Sequence, residues 1–157
     1  MRSIAKQFVL AGAVAVATTL GTVSQAAENP AALIEYRQAI MKAIGGHIGA
    51  IVMVVKGDVS FTDEVAGHAH AINEMSKTLP RLFPKGSGKE AGETRALPVI
   101  WERWDEFEAK IKTLQTESAK LAEVAKDGDR ATIAKQTMAL GNEGCGSCHK
   151  TFREKKN

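Results

Sequence analysis

The sequence is poor in cysteine, in aromatic residues and in strand-forming patterns. Only two cysteines occur among 157 residues, and both lie in one pentapeptide near the C-terminus, which excludes a fold held by a disulfide framework. Aromatic residues make up 5% of the chain, and apolar residues seldom alternate with polar ones, so a β-sheet protein is not expected. No phosphate-binding loop, Ser/His/Asp set or pair of catalytic acids stands out, and we therefore expect no enzyme.

The first 26 residues predict a secretory signal peptide that is cleaved after Ala26. Arg2 and Lys6 form a basic region, and the apolar run 8–20 that follows is too short and too rich in alanine for a transmembrane helix. We therefore expect a periplasmic domain of residues 27–157 without stable membrane insertion. Removal of the leader lowers the formal net charge of +3 by two, and a nearly neutral chain gives no reason to expect binding to nucleic acid.

Apolar residues that recur at intervals of three and four predict an all-α protein. Asn29 and Asp129 are suited to begin the first and last helices, and Gly57 and Pro80 to end the first two. The expected fold is an antiparallel four-helix bundle, with helices over residues 30–56, 62–78, 98–126 and 130–153.

A long connection separates the second and third predicted helices. Prolines and glycines keep residues 80–97 irregular, and Leu82 and Phe83 are expected to tuck under the loop as an apolar plug. Connections of this length in a compact domain are often functional. Here the connection is placed to close over a cofactor.

The pentapeptide Cys145-Gly146-Ser147-Cys148-His149 is typical of covalent attachment of one c-type haem. Each thiol forms a thioether with a vinyl group of the porphyrin, and His149 offers an imidazole nitrogen to the iron. On an α-helix Cys145, Cys148 and His149 share one face. Gly141 and Gly144, in the same predicted helix, indicate close approach of a flat ligand or of a neighbouring helix.

Three other interpretations of the two cysteines stay open at this point. One is a thiol–disulfide oxidoreductase, which also uses C-x-x-C but is expected beside a βαβ pattern. Another is a plain structural disulfide. The third is half of a zinc site, which requires four ligands. His47, His68 and His70 show no spacing that would complete it, and we expect them to be solvated or core histidines.

The first helix offers two residues to the opposite side of a haem. Met41 has a thioether that suits haem iron and raises its reduction potential, although a Met on an apolar helix face is ordinarily core. Arg37 lies one turn earlier, and a cation beside an apolar stripe needs a partner. Its partner is either a haem propionate or, in a surface salt bridge, Glu28 or Glu35.

Three segments of the sequence resemble the class II c-type cytochromes, the cytochrome c′ family, and the likeness extends over residues 28–154. The matching segments are Tyr36-Arg37-Gln38, Leu97-Pro98-x-Ile100-Trp101 and Cys145-x-x-Cys148-His149-Lys150-x-Phe152-Arg153. The resemblance implies a periplasmic four-helix bundle, often a homodimer, with thioethers at both cysteines and His149 as the proximal ligand. It also implies that Arg37 lies near a propionate, Arg153 near the proximal face and Met41 at the distal position.

The family that the chain resembles divides at the distal position. Most members are five-coordinate and bind nitric oxide or carbon monoxide, whereas a low-spin subgroup has a distal Met ligand and carries electrons to a redox partner protein. Met41 is compatible with both, but the segment 79–84, Leu-Pro-Arg-Leu-Phe-Pro, resembles the low-spin subgroup. The main expectation is therefore electron transfer with iron held by His149 and Met41. The alternative is a gas-binding protein in which Met41 is an unligated steric gate.

Overall fold

The computed structural model describes residues 29–127 and 129–155, which form a four-helix bundle. The predicted signal peptide lies outside the described residues. Short 3-10 turns at 62–64, 79–82 and 125–127 flank the main elements. In chain order those elements are α1 (Pro30–Lys56), α2 (Val65–Thr78), α3 (Val99–Glu102), α4 (Trp104–Val124), α5 (Arg130–Ala139), a π-helical segment (Leu140–Gly146) and α6 (Ser147–Phe152).

The ends of the first and last long helices are set by the residues that the sequence singled out. The Asn29 side chain accepts a hydrogen bond from the backbone N–H of Ala31 at 3.0 Å, and Gly57 ends α1 in the left-handed region with φ 84°. Asp129 accepts from the first backbone N–H groups of α5. These caps satisfy backbone groups that a helix end leaves without partners, and the corresponding predictions are confirmed.

The helices enclose one apolar core. α1 packs against α2 and α5, and α4 packs against α2, α5, the π-helical segment and α6. Each wall of the bundle contributes a fully buried side chain to a single core cluster: Ile51, Ile72, Leu121 and Ile133. Among the described residues, α1 is the one helix that by length and composition is apolar enough to span a membrane, with a mean hydropathy of 1.6 and 17% of that stretch buried within the bundle.

Two predicted helices are interrupted. The third breaks at Arg103, whose backbone leaves the helical region, and this break places the Trp101 indole N–H within 2.9 Å of the Phe83 carbonyl oxygen. The fourth widens into the π-helical segment. At Gly144 an added Cβ would lie 3.3 Å from the Leu114 Cα, so this glycine permits close approach to α4, as predicted. An added Cβ at Gly141 would meet nothing within 4 Å, so no neighbouring helix comes close there, and the close approach of a flat ligand to this glycine stays a prediction.

The connection between α2 and α3 is tied to the end of the chain. Leu82 and Phe83 are buried, as the predicted plug requires. Farther along, Ala96 pairs with Arg153 in an antiparallel bridge, and the backbone N–H of Leu97 donates to the Phe152 carbonyl at 3.1 Å. The loop is thereby held against the segment that follows the pentapeptide.

Candidate functional site

A cavity of about 780 Å³ lies where α1, the loop 83–98, α4 and α6 meet. This volume is within the usual range for cofactor sites. The cavity brings together five of the six residues that the sequence proposed as site residues, which are Arg37, Met41, Cys148, His149 and Arg153. The sequence placed these five residues on two predicted helices, the first and the last, and in the folded chain they line one cavity.

Aromatic rings form an apolar part of the cavity wall. Phe107 is at the centre of this group, with ring centroids 4.8 Å from Phe83 and 5.2 Å from Phe152, both nearly edge-on. Edge-to-face contacts of this kind favour a defined arrangement of rings. The resulting wall is suited to the face of a flat, apolar ligand.

Cys145 was predicted to lie on one continuous α-helix with Cys148 and His149, but the structure places it in the π-helical segment. It is half-buried against the core, whereas Cys148 and His149 are in α6 and line the cavity. Residues 140–146 are therefore wound more loosely than the predicted α-helix. π-Helical turns of this kind are frequent at functional sites.

The two thiols have the properties of buried cysteines rather than of redox-active ones. They are not joined by a disulfide. Burial raises the pKa of both, and that of Cys148 reaches about 11, with a further contribution from Cys145. A thiol–disulfide oxidoreductase needs a thiolate, which requires the opposite shift. The environment therefore argues against that interpretation.

His149 is held as a neutral imidazole. Burial, with smaller contributions from the nearby charges of Arg153 and Arg95, lowers its pKa to about 4. At neutral pH its ring therefore keeps a free lone pair, which is the form that binds a metal ion. The neighbouring Arg153 is consistent with the expected basic residue on this side.

Arg37 is buried, and the predicted surface salt bridge is therefore wrong. Its side chain is 3% exposed and donates to Ser87 Oγ at 3.0 Å and Thr94 Oγ1 at 2.7 Å, and its guanidinium lies 4.8 Å from the Phe83 ring centroid. Among the described residues it forms no ion pair. Burial lowers the pKa of Arg37, and the charge of Glu90 opposes that shift only in part. Because a buried positive charge is costly, an anionic group in the adjoining cavity would compensate it further.

Two features of the molecule escaped the sequence reasoning. The hydroxyl partners of Arg37 lie 50 and 57 residues away along the chain. His47 and His68, which were expected to be solvated or core histidines, meet with 2.8 Å between their Nδ1 atoms. Helical periodicity could have placed each residue on its helix face, but the pairing depends on how far α1 is displaced along α2.

The cavity fits a haem. It offers an apolar wall for the macrocycle, a neutral imidazole for the iron and a thiol beside it. The buried Arg37 charge suits a propionate, and the exposed Lys150, Arg153 and Lys155 follow at the end of the chain. The second thiol comes from the adjoining π-helical segment.

Comparison with known proteins agrees with this composition of the site. A family model described as Cytochrome C′ matches residues 32–153. Cytochrome c′ of Pararhodospirillum photometricum is 40% identical over 80% of this chain and 99% of its own. Cytochrome c′ of Rhodospirillum rubrum is 37% identical over 94% and 98%.

Solved structures agree on the fold. Cytochrome c prime from Shewanella frigidimarina is 32% identical, with a TM-score of 0.75 over 82% of this chain and 99% of that one. A nitric oxide complex of a mutant cytochrome c prime from Alcaligenes xylosoxidans is 24% identical, with a TM-score of 0.73 over 83% and 99%. At that identity the likeness concerns the fold alone.

Proposed function

We propose that this chain, which belongs to the cytochrome c′ family, transfers electrons in the periplasm through its one covalently attached c-type haem. The observation that carries this proposal is that Met41 of α1 and His149 of α6 line the same cavity. A thioether sulfur from one helix and an imidazole nitrogen from another would bind the iron and leave it no open coordination position. Export rests on the predicted signal peptide, and a redox partner protein completes the function.

Each proposed ligand has a distinct part. Cys145 and Cys148 would hold the haem through thioethers, His149 would be the proximal ligand and Met41 the distal one. The bound haem supplies a reversible one-electron couple, whose potential an axial Met raises.

The surrounding chain protects and tunes the site. The ring of Phe107, with Phe83 and Phe152 against it, excludes water from one side of the cavity. Arg37 would balance a propionate, and its fixed position holds a positive charge beside the cavity. Charge, burial and solvent exclusion are the protein's means of setting a haem potential.

The alternative function is binding of nitric oxide or carbon monoxide, and the comparisons support it more than they support electron transfer. Both relatives described above are named cytochrome c′, and the Alcaligenes structure is a nitric oxide complex. In this alternative Met41 stays unligated, and its half-buried side chain screens the distal side of the cavity.

Replacement of Met41 by alanine separates the two functions. If Met41 ligates the iron, the ferric wild type is low-spin and its reduced form is unchanged by carbon monoxide. The Met41→Ala holoprotein then becomes high-spin and binds carbon monoxide, because an axial position has been opened. Absorption spectra of both proteins, oxidised, reduced and under carbon monoxide, measure this.

Met138→Ala is the matched control, since Met138 is in α5, does not line the cavity and is 62% exposed. Its spectra should equal those of the wild type. A wild type that is high-spin and responds to carbon monoxide, or a Met41→Ala spectrum identical to that of the wild type, contradicts ligation by Met41. The first of these outcomes establishes the gas-binding alternative.

We also propose that the protein forms a homodimer through the outer face of α1. Gly45, Gly49 and Met53 are spaced four residues apart and share that face. An added Cβ at either glycine would meet nothing within 4 Å, so packing within one chain does not explain two residues that each cost a helix about 1 kcal/mol.

Sedimentation velocity should show a dimer for the wild type and a monomer for Gly49→Glu, with Ala109→Glu on α4 as the control. A wild type that stays monomeric at every concentration excludes the dimer.

A further inference from the structure

His47 of α1 and His68 of α2 form a histidine pair between two helices. Their Nδ1 atoms are 2.8 Å apart, and the ring centroids lie 5.1 Å apart with the planes inclined by 55°. Both side chains are half-buried. With both rings neutral, one Nδ1–H donates to the other Nδ1, and the two nitrogens face each other at a distance that one shared hydrogen can bridge.

The same distance matches two neighbouring ligands of a tetragonal metal ion. With metal–nitrogen bonds of about 2.0–2.1 Å, a right angle at the metal places the two nitrogens roughly 2.8–3.0 Å apart, whereas a tetrahedral angle requires roughly 3.3–3.4 Å. Square-planar and tetragonal nitrogen sites are typical of Cu(II) and Ni(II). Cu(II) is the ion that binds such ligands more tightly.

The pair lies near the surface of the bundle, since both histidines are half-buried and Gly46 and Gly67, which precede them, are exposed. Burial lowers the pKa of His47, and the neighbouring His68 lowers it further, which keeps a lone pair available at neutral pH. Within residues 29–127 and 129–155, no group of three or more His, Cys, Asp or Glu side chains could hold a metal, so water would complete the coordination.

We propose that His47 and His68 chelate one Cu(II) ion through their Nδ1 atoms. The ion replaces the hydrogen bond and lies to one side of the line that joins the two nitrogens. The displaced proton moves to Nε2 of the same ring, which is the other neutral tautomer of histidine. No electron is transferred and no net proton is released at neutral pH. Because the ion joins α1 to α2, its binding adds to the stability of the folded bundle. The site is separate from the cavity and does not depend on the proposed function.

Calorimetric titration of the holoprotein with Cu(II) chloride tests the proposal, together with electron paramagnetic resonance of the loaded protein. We expect about one tightly bound ion per chain, with couplings from two imidazole nitrogens. His47→Gln and His68→Gln should each weaken binding about a hundredfold, because a chelate gains its affinity from the second, pre-positioned ligand. The haem spectrum of each variant reports whether it has folded.

His70→Gln is the matched control, since His70 is exposed on the same helix as His68. This variant should bind Cu(II) as the wild type does, and the amino terminus is common to all the proteins compared. Binding that survives in both single variants, or a wild type that binds no Cu(II), overturns the proposal. If His47→Gln or His68→Gln fails to fold, the electron paramagnetic resonance spectrum of Cu(II)-loaded His70→Gln decides. A spectrum that lacks couplings from two imidazole nitrogens overturns the proposal.

Discussion

Replacement of both Cys145 and Cys148 by serine is expected to abolish covalent haem. Serine cannot form the two thioethers, so acid–acetone extraction should remove all haem from the variant and none from the wild type. We also expect little folded protein. The haem would no longer cover the apolar wall formed by Phe83, Phe107 and Phe152, and the loss of that burial removes part of the small net stability of a domain.

Ser147→Ala is the control for this experiment, because Ser147 lies between the two cysteines and its hydroxyl donates only to the backbone carbonyl of Glu143. Haem should stay attached in this variant and absorbance should be unchanged. Haem that resists extraction from the double serine variant would show that the thiols do not attach it. A colourless wild type with free, titratable thiols would carry no haem and would favour the thiol–disulfide oxidoreductase instead.

Arg37→Ala is expected to destabilise the holoprotein by about 3 kcal/mol, since a hydrogen bond to a charged group is worth about 1.5–3 kcal/mol and two are lost. Arg37 donates to Ser87 and Thr94 across the cavity edge and contacts Phe83, and its removal releases the loop that they belong to. Denaturant unfolding of the holoprotein, followed by the haem spectrum, measures the loss. Trypsin should also cut the variant faster at Lys89, within this loop.

Gln38→Ala is the control for Arg37→Ala, because it shows what a substitution on this part of α1 costs when no charge is lost. Gln38 is adjacent to Arg37 and also holds the loop, through a bond from its Nε2 to the Glu93 carbonyl at 2.8 Å, but this contact is exposed. Its removal should cost less than about 1 kcal/mol. An Arg37→Ala protein as stable as Gln38→Ala, and cleaved no faster, would mean that the buried guanidinium does not anchor the loop.

Most of the helical architecture could be predicted because it depends on interactions between residues close in sequence. Asn29, Gly57 and Asp129 were expected at helix ends, and the structure confirms them. Each cap depends on hydrogen bonds or backbone angles that span only a few residues. The π-helical segment could not be predicted in the same way, since the close approach of Gly144 to Leu114 involves another helix.

The sequence by itself determined the pentapeptide chemistry, the apolar faces and the presence of four helices, because thioether spacing, helix periodicity and capping are encoded within a few consecutive residues. Only the tertiary structure decided that Arg37 is buried among hydroxyl groups, that Cys145 lies in a π-helical segment, and which side chains meet across helices. Such contacts join residues tens of positions apart. They depend on the relative displacement and rotation of packed helices, which hydrophobic periodicity leaves undetermined.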